Sequence, residues 1–454
     1  MKELRSSIGF LTGGLKERLI QEALALRTRR AESGARDSAS PEPVAPVPTA
    51  VPASESVARF DQLPGYRQLR LLRAGAAQLG IENPFFRIHE GIGGATTIIA
   101  GREYINYSSY NYLGLCGHPQ VQAAAGQAIE RYGTSVSASR LVSGERPIHR
   151  ELERALAQAY QTEDCVAFVS GHATNVSAIA TLFGARDLVL HDALIHNSVL
   201  QGITLSGARR MAFAHNDAQA LEELLREWRG RFERVLIVLE GVYGMDGDFP
   251  DLPRFVDVKR RHRAFLMVDE AHSLGVLGAS GLGIREHFGL HGSDVDIWMG
   301  TLSKTLASCG GFVAGDSPLV EHLKCLAPGF LYSVGMAPPV AAAALAALEV
   351  LQAEPARVHR LRERGALFLD LAREQGIDTG TSAGLAVIPA VTGSSIRAGR
   401  LAQALFRRGI NVQPIVHPAV PEQASRLRFF VSSEHTPEQI RATVQALAQE
   451  SEKL

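Results

Sequence analysis

An excess of charge of either sign is missing from this 454-residue chain: 47 basic and 47 acidic residues leave a formal net charge of zero. A general nucleic-acid binder needs a basic surplus, so that class is set aside. Long apolar runs are missing too, and none approaches the roughly 20 residues that a membrane-spanning helix requires. Cysteine is scarce. Cys116, Cys165, Cys309 and Cys325 show no CxxC spacing and no accompanying histidine pattern. That argues against a zinc site and, in a chain of this length, against a disulfide framework. Four reduced thiols in a cytoplasmic protein are expected. The first residues offer no uninterrupted signal-peptide core, because Thr12, Gly13, Gly14 and Lys16 divide Ile8–Leu15. Glu3, Glu17 and Glu22 make the same stretch too acidic for a transit peptide.

What is present suits a multi-core enzyme. With 46% hydrophobic residues over this length, two or three domains are expected. Leu4, Ile8, Leu11, Leu15 and Leu19 recur at helical spacing on a basic segment, so residues 1–30 are predicted to form an amphipathic helix, weakened at Gly13-Gly14. Residues 31–58 turn to Ala, Ser, Glu and Pro and read as a linker. A helix on a tether suits docking to a partner; a frayed extension without function is the plain alternative. From about residue 60 the pattern becomes α/β. A helix is predicted at Leu69–Leu79 and a short β region at Thr96–Tyr107. Strands follow at Cys165–Val169, Leu188–Leu190, Arg234–Leu239, Phe265–Val268, Ile297–Met299 and Gly311–Ala314, alternating with helices. That alternation predicts a mostly parallel sheet covered on both faces. A long helical stretch is expected over 340–375, then strands at Leu385–Ala390, Val412–Val416 and Arg428–Val431. The expected divisions are an N-terminal segment 59–115, a large domain 116–335 and a smaller α+β domain 336–454.

Ligands in open α/β sheets bind beyond the carboxyl ends of the strands, and the notable polar residues fall there. Ser170-Gly171-His172 follows one predicted strand, His191 to Ser198 the next, and Glu240 to Asp248 a third. Asp269 and His272 close a fourth, and Thr301 and Lys304 follow a fifth. Singly, each has an ordinary explanation: a strand-end histidine pairs readily with loop carbonyls, and Asp269 alone could cap a helix. Together they are harder to dismiss. A lysine in a Thr-x-x-Lys turn, with an aspartate ending an earlier strand, is an arrangement that holds pyridoxal phosphate. The lysine engages the aldehyde, and the aspartate pairs with the protonated ring nitrogen. Gly171 lets backbone N–H groups approach a phosphate.

Several segments in this order resemble the α-oxoamine synthases: Tyr110-Asn-Tyr-Leu-Gly-Leu, Ser137-Ala-Ser-Arg-Leu-Val-Ser-Gly, Glu240-Gly-Val-Tyr-Gly-Met-Asp-Gly-Asp, Asp269-Glu-Ala-His-Ser-Leu-Gly, Gly300-Thr-Leu-Ser-Lys and Arg426-Leu-Arg-Phe-Phe-Val-Ser-Ser. The resemblance spans residues 80–450 and implies the α/β fold type I of pyridoxal-phosphate-dependent transferases. It implies Lys304 as the cofactor lysine and Cα-proton carrier, and Asp269 as the ring-nitrogen partner. It places His196 on the ring face, His272 at the ring oxygen, and Gly171, His172 and Thr301 at phosphate and ring contacts. Arg428, and less directly Asn111, would hold a substrate carboxylate. Ser333, in Tyr332-Ser-Val-Gly-Met-Ala-Pro-Pro, would reach in from the second subunit of a homodimer.

Two departures stand out. Gly244 replaces a serine common among relatives, and Ile415-Val416-His417-Pro418 replaces an Arg-Pro-Pro segment. The implied reaction is a decarboxylative condensation of an amino acid with an acyl thioester of coenzyme A or an acyl-carrier protein. An aminotransferase is the first rival, because Lys304 and Asp269 serve both; His196 and the Asp269-x-x-His272 pair favour the synthase. A catalytically silent partner subunit is the second, and Lys304 argues against it.

Overall fold

The computed structural model describes residues 58–454. The expected helix over 1–30 and all but the last residue of the expected linker lie outside them. The chain divides into two units, residues 1–72 and 73–454. The first contributes to the described residues a short 3-10 turn at Phe60–Gln62 and the start of the helix Pro64–Gln78; that helix starts five residues before the predicted Leu69.

The strands, in chain order, are β1 (Thr96–Ile99), β2 (Arg102–Asn106), β3 (Asp164–Phe168), β4 (Leu188–Asp192), β5 (Arg209–Phe213), β6 (Val235–Glu240), β7 (Phe265–Asp269), β8 (Ile297–Thr301), β9 (Gly311–Gly315), β10 (Val387–Val391), β11 (Ile410–Asn411), β12 (Gln413–Ile415) and β13 (Arg426–Phe430). Seven of them form one sheet in the order β3-β9-β8-β7-β6-β4-β5. Only β9 runs against its neighbours; the remaining pairs are parallel. The carboxyl ends of β3, β4, β6, β7 and β8 therefore share one edge.

The runs Val235-Leu-Ile-Val-Leu and Ile297-Trp-Met lack polar alternation because both faces of the sheet are covered. Val235, Ile237 and Leu239 enter one core and Leu236 and Val238 the other, as the two-residue period of a strand dictates. β5 was not foreseen. It is an edge strand whose arginines are exposed and of which only Phe213 is buried, so it carries little hydrophobic signal. The helical stretch expected over 340–375 is two helices, Pro338–Ala353 and Ala356–Glu374. Pro355 explains the break, since the residue before a proline is driven out of the helical region; Glu354 sits at ψ 60°. The predicted strand Val412–Val416 is found as β12, which pairs with β13 in a sheet with β10, while β11, just before it and not foreseen, pairs with β2 beside β1.

The Ser137–Gly144 motif has a structural account. Arg140, almost fully buried in a π-helical turn, donates to Glu153 at 2.6 Å. Glu153 also receives Arg150 at 2.6 Å, Lys324 at 3.1 Å and the Ala167 N–H at 2.9 Å. One carboxylate thus ties a turn, two helices and β3. Removing one partner of a buried ion network strands the others. Glu153→Ala is expected to cost about 3 kcal/mol, measured as the loss in urea-unfolding free energy, with Glu145, which also pairs with Arg140, limiting the damage.

Candidate active site

β7 ends at Asp269, exposed only 4%, and β8, its parallel neighbour, leads into Thr301 and Lys304. Asp269 Oδ2 accepts from Asn175 Nδ2 at 2.8 Å and Oδ1 from the Ala271 N–H at 3.0 Å. Asn175 Nδ2 spends its second hydrogen on Ser198 Oγ at 2.9 Å. Because that hydroxyl accepts from Asn175, its own hydrogen goes to His196 Nδ1, 2.7 Å away. The Ser198 N–H also points at Nδ1, at 3.3 Å. Nδ1 is therefore the acceptor, and the ring hydrogen of a neutral His196 sits on Nε2. Burial lowers the pKa of His196 against the raising effect of Asp269, while Lys304, His172 and Arg428 lower it further. A continuous chain of hydrogen bonds runs from Asp269 through Asn175 and Ser198 to the His196 imidazole.

Lys304 is half-buried, with its ammonium 5.6 Å from the centre of the Tyr110 ring. Burial lowers its pKa; the charges of Asp269 and Glu240 oppose that, and Arg428 reinforces it. A buried amine held down in this way is a better nucleophile at neutral pH. Glu240, at the end of β6, is pushed up to about 8 by burial and by the adjacent Asp269. Its proton is thus held more tightly than that of an ordinary glutamic acid.

The helix Gly171–Leu182 starts directly after β3, with the Ser170 side chain capping the Ala173 N–H. Its first N–H groups have no partners within the helix, which suits them to an anion. A Cβ on Gly171 would lie 2.8 Å from Thr301 Oγ1, so only glycine permits this approach. Thr301 in turn donates to the Gly310 carbonyl at 3.0 Å. His172 is exposed beside Gly171.

Arg428, on β13, donates to the Gly244 carbonyl at 2.9 Å and lies 4.6 Å from the centre of the Phe430 ring. Its buried Nε has no hydrogen-bond partner among the described residues, and a guanidinium fork is suited to a carboxylate. The departure at Gly244 also has a physical reason: a Cβ there would sit 2.3 Å from His272 Nε2. A serine would collide with the imidazole.

Two expected residues stand apart. Asn111 is buried with both ends of its amide engaged by backbone, donating to the Gly93 carbonyl at 3.0 Å and accepting from the Cys116 N–H at 3.2 Å. Ser333, expected to act from the second subunit, lies between exposed Tyr332 and Val334, in a segment tied by the Gly335 N–H to the Ala138 carbonyl. Asn175, Ser198 and Tyr112 were not singled out from the sequence. A buried asparagine inside a helix, where its propensity is poor, is the one signal that could have marked Asn175.

The residues fit pyridoxal phosphate. Asp269 is a buried carboxylate without an ion-pair partner among the described residues, and a protonated ring nitrogen would supply the missing charge. The Gly171 helix start would take the phosphate, and Lys304 the aldehyde.

His215 fastens the loops on which this site rests, with Nδ1 2.8 Å from Asp192 and Nε2 3.0 Å from Asp248. Despite the opposing effect of burial, both carboxylates raise its pKa from 6.5 to about 10. A raised histidine pKa stabilises the fold fully below its unfolded value and progressively less as pH climbs through the folded one. The stability advantage of the native chain over His215→Gln should therefore be largest below pH 6.5 and fade towards about 10, as followed by urea unfolding across that range.

The family described as "Aminotransferase class I and II" matches residues 102–447. A protein of Geobacter sulfurreducens named 8-amino-7-oxononanoate synthase is 42% identical over 366 residues, 80% of this chain and 93% of that one. Its namesake from Thermoanaerobacter pseudethanolicus is 37% identical over 365 residues, covering 80% and 92%. Among solved structures, serine palmitoyltransferase from S. paucimobilis, with bound PLP–myriocin, superposes at a TM-score of 0.82 and 30% identity over 87% of this chain and 99% of that one.

Proposed function

Since the chain belongs to the class I and II aminotransferase family and, within it, to the α-oxoamine synthases, we infer that its site joins an amino acid to an acyl thioester. Carbon dioxide and a free thiol leave, and an α-aminoketone is the product. The cofactor is pyridoxal phosphate. Bound there, it supplies a sink for the negative charge that develops at the amino acid's Cα.

The remaining work falls to the chain. Lys304 anchors the aldehyde end and moves the Cα proton. Asp269 keeps the ring nitrogen protonated, with Asn175 and Ala271 fixing its orientation. Gly171 and His172 offer backbone N–H groups to the phosphate, with Thr301 beside them. His196 would offer its Nε2–H to the thioester carbonyl and steady the oxygen as charge builds there. Arg428 takes the amino acid's carboxylate, a role supported by its unpartnered Nε. The observation that carries this reading is the pairing of a desolvated lysine with an uncompensated buried carboxylate on adjacent strand ends.

The thiol is that of coenzyme A or of an acyl-carrier protein. Gly244 and Val416 weigh against transferring the substrate of either named relative unchanged. No helix among the described residues is long and apolar enough to cross a membrane, and cytoplasmic action fits the unpaired cysteines.

The direct test is reduction with borohydride, which should leave a pyridoxyl group on Lys304. Lys304→Ala should lose turnover by several orders of magnitude, because anchor and proton carrier vanish together. A folded native protein that takes up no pyridoxal phosphate would refute the reading.

The assembly is a homodimer. Leu141, Val142, Tyr332 and Val334 are 52–86% exposed, on segments joined by the Gly335–Ala138 hydrogen bond, and such an apolar surface suits a second copy. Light scattering on the active enzyme should give twice the 48.9 kDa chain mass; an active monomer would contradict it.

A further inference from the structure

The imidazole of His272 is held from several directions. Tyr112 Oη lies 2.7 Å from Nδ1. The Phe430 ring lies parallel, 6.3 Å between centroids and 10° between planes, and Tyr110 meets the imidazole edge-on at 6.2 Å. At Nε2 the absent Cβ of Gly244 leaves room.

Hydrogen-bond accounting decides which nitrogen carries the hydrogen. Tyr112 is fully buried, and His272 Nδ1 is the hydrogen-bond partner of its hydroxyl among the described residues. Burial keeps this phenol protonated well above the usual tyrosine range. Its hydrogen therefore needs an acceptor. If Nδ1 bore a hydrogen, the phenol oxygen would have to accept it, and the phenol's own hydrogen would be stranded in a dry interior, a costly arrangement. The imidazolium form is disfavoured by burial and then by the positive charges of Lys304 and Arg428 and by His196. With the ring neutral, Nδ1 bare and Nε2 protonated, the phenol's hydrogen has its acceptor and Nε2–H is left as a donor.

We propose that Tyr112 is a positioning residue that locks His272 in its Nε2–H tautomer, making Nε2 a standing hydrogen-bond donor to the ring oxygen of the cofactor. This rests on the placing of pyridoxal phosphate proposed above. A standing donor favours the anionic form of that oxygen, whereas a bare Nε2 would repel it. Gly244 belongs to the same device, since a side chain there would occupy the space of the donor.

The test is the tautomer of His272 in the full-length protein carrying ¹⁵N-histidine, with and without pyridoxal phosphate, its signals identified by their loss in His272→Gln. Two-bond ¹H–¹⁵N correlations should show Nε2 protonated and Nδ1 bare in both preparations. In Tyr112→Phe the tautomers should mix and the pH titration of the visible cofactor band should move. There kcat should fall about tenfold, the rate equivalent of one oriented hydrogen bond, with little change in KM for either substrate. A hydrogen on Nδ1 of the native protein would overturn the proposal, whether or not Tyr112→Phe folds. So would a Tyr112→Phe protein with an unaltered tautomer and titration. Failure of the native chain to bind pyridoxal phosphate would instead remove the functional reading, and the donor's role with it.

Discussion

The buried carboxylate of Asp269 is the charge on which the rest of the site depends. A carboxylate withdrawn from water is expensive unless hydrogen bonds and an opposite charge compensate it. The protein supplies the hydrogen bonds, from Asn175 and the Ala271 backbone. It supplies no ion pair among the described residues, a demand that the proposed protonated pyridine nitrogen would answer. Asp269 also acts at a distance. Through Asn175 and Ser198 its hydrogen bonding extends to His196 and fixes the ring there as an Nε2 donor. Beside it, burial and the same negative charge push the pKa of Glu240 up to about 8.

The sheet makes this arrangement possible. Parallel strands β4, β6, β7 and β8 deliver their loops to one edge, and β3, set antiparallel to the reversed β9, delivers the Gly171 helix start to that edge as well. The positive groups are placed by different means. Lys304 comes from the loop after β8, and Arg428 from β13 in the smaller β10-β13-β12 sheet. Tyr112, from neither sheet, sets the orientation of His272. Rigidity at the strand ends is reinforced by the His215 tie between Asp192 and Asp248. A site that must hold one charge geometry through several steps benefits from being built on strand ends rather than on long loops.

Much of this was legible in the amino-acid order. The apolar runs ending in polar residues marked the strand ends, and Asp269, His272, Thr301 and Lys304 stand where those runs predict. The intervening partners were not legible. Asn175 and Asp269 are 94 positions apart and meet only because β3 and β7 lie in one sheet; no local pattern encodes that contact. The Tyr112–His272 pair, 160 positions apart, was hidden for the same reason. β5 was missed because an edge strand needs little apolar sequence, while the break at Pro355 was written in the chain and outweighed by the alanine-rich run around it. The contacts of Asn111 were hidden too: its amide bonds the Gly93 carbonyl, 18 positions away, and the Cys116 N–H.

If the negative charge of Asp269 drives the chemistry, removing the charge while keeping the shape should separate binding from reaction. The measurement is deuterium exchange at Cα of the bound amino acid in heavy water, followed by NMR in native and Asp269→Asn enzyme, using the amino acid that most perturbs the visible cofactor band. The account predicts that the variant still takes up pyridoxal phosphate on Lys304 yet exchanges the Cα proton orders of magnitude more slowly. Exchange at the native rate in Asp269→Asn would contradict it.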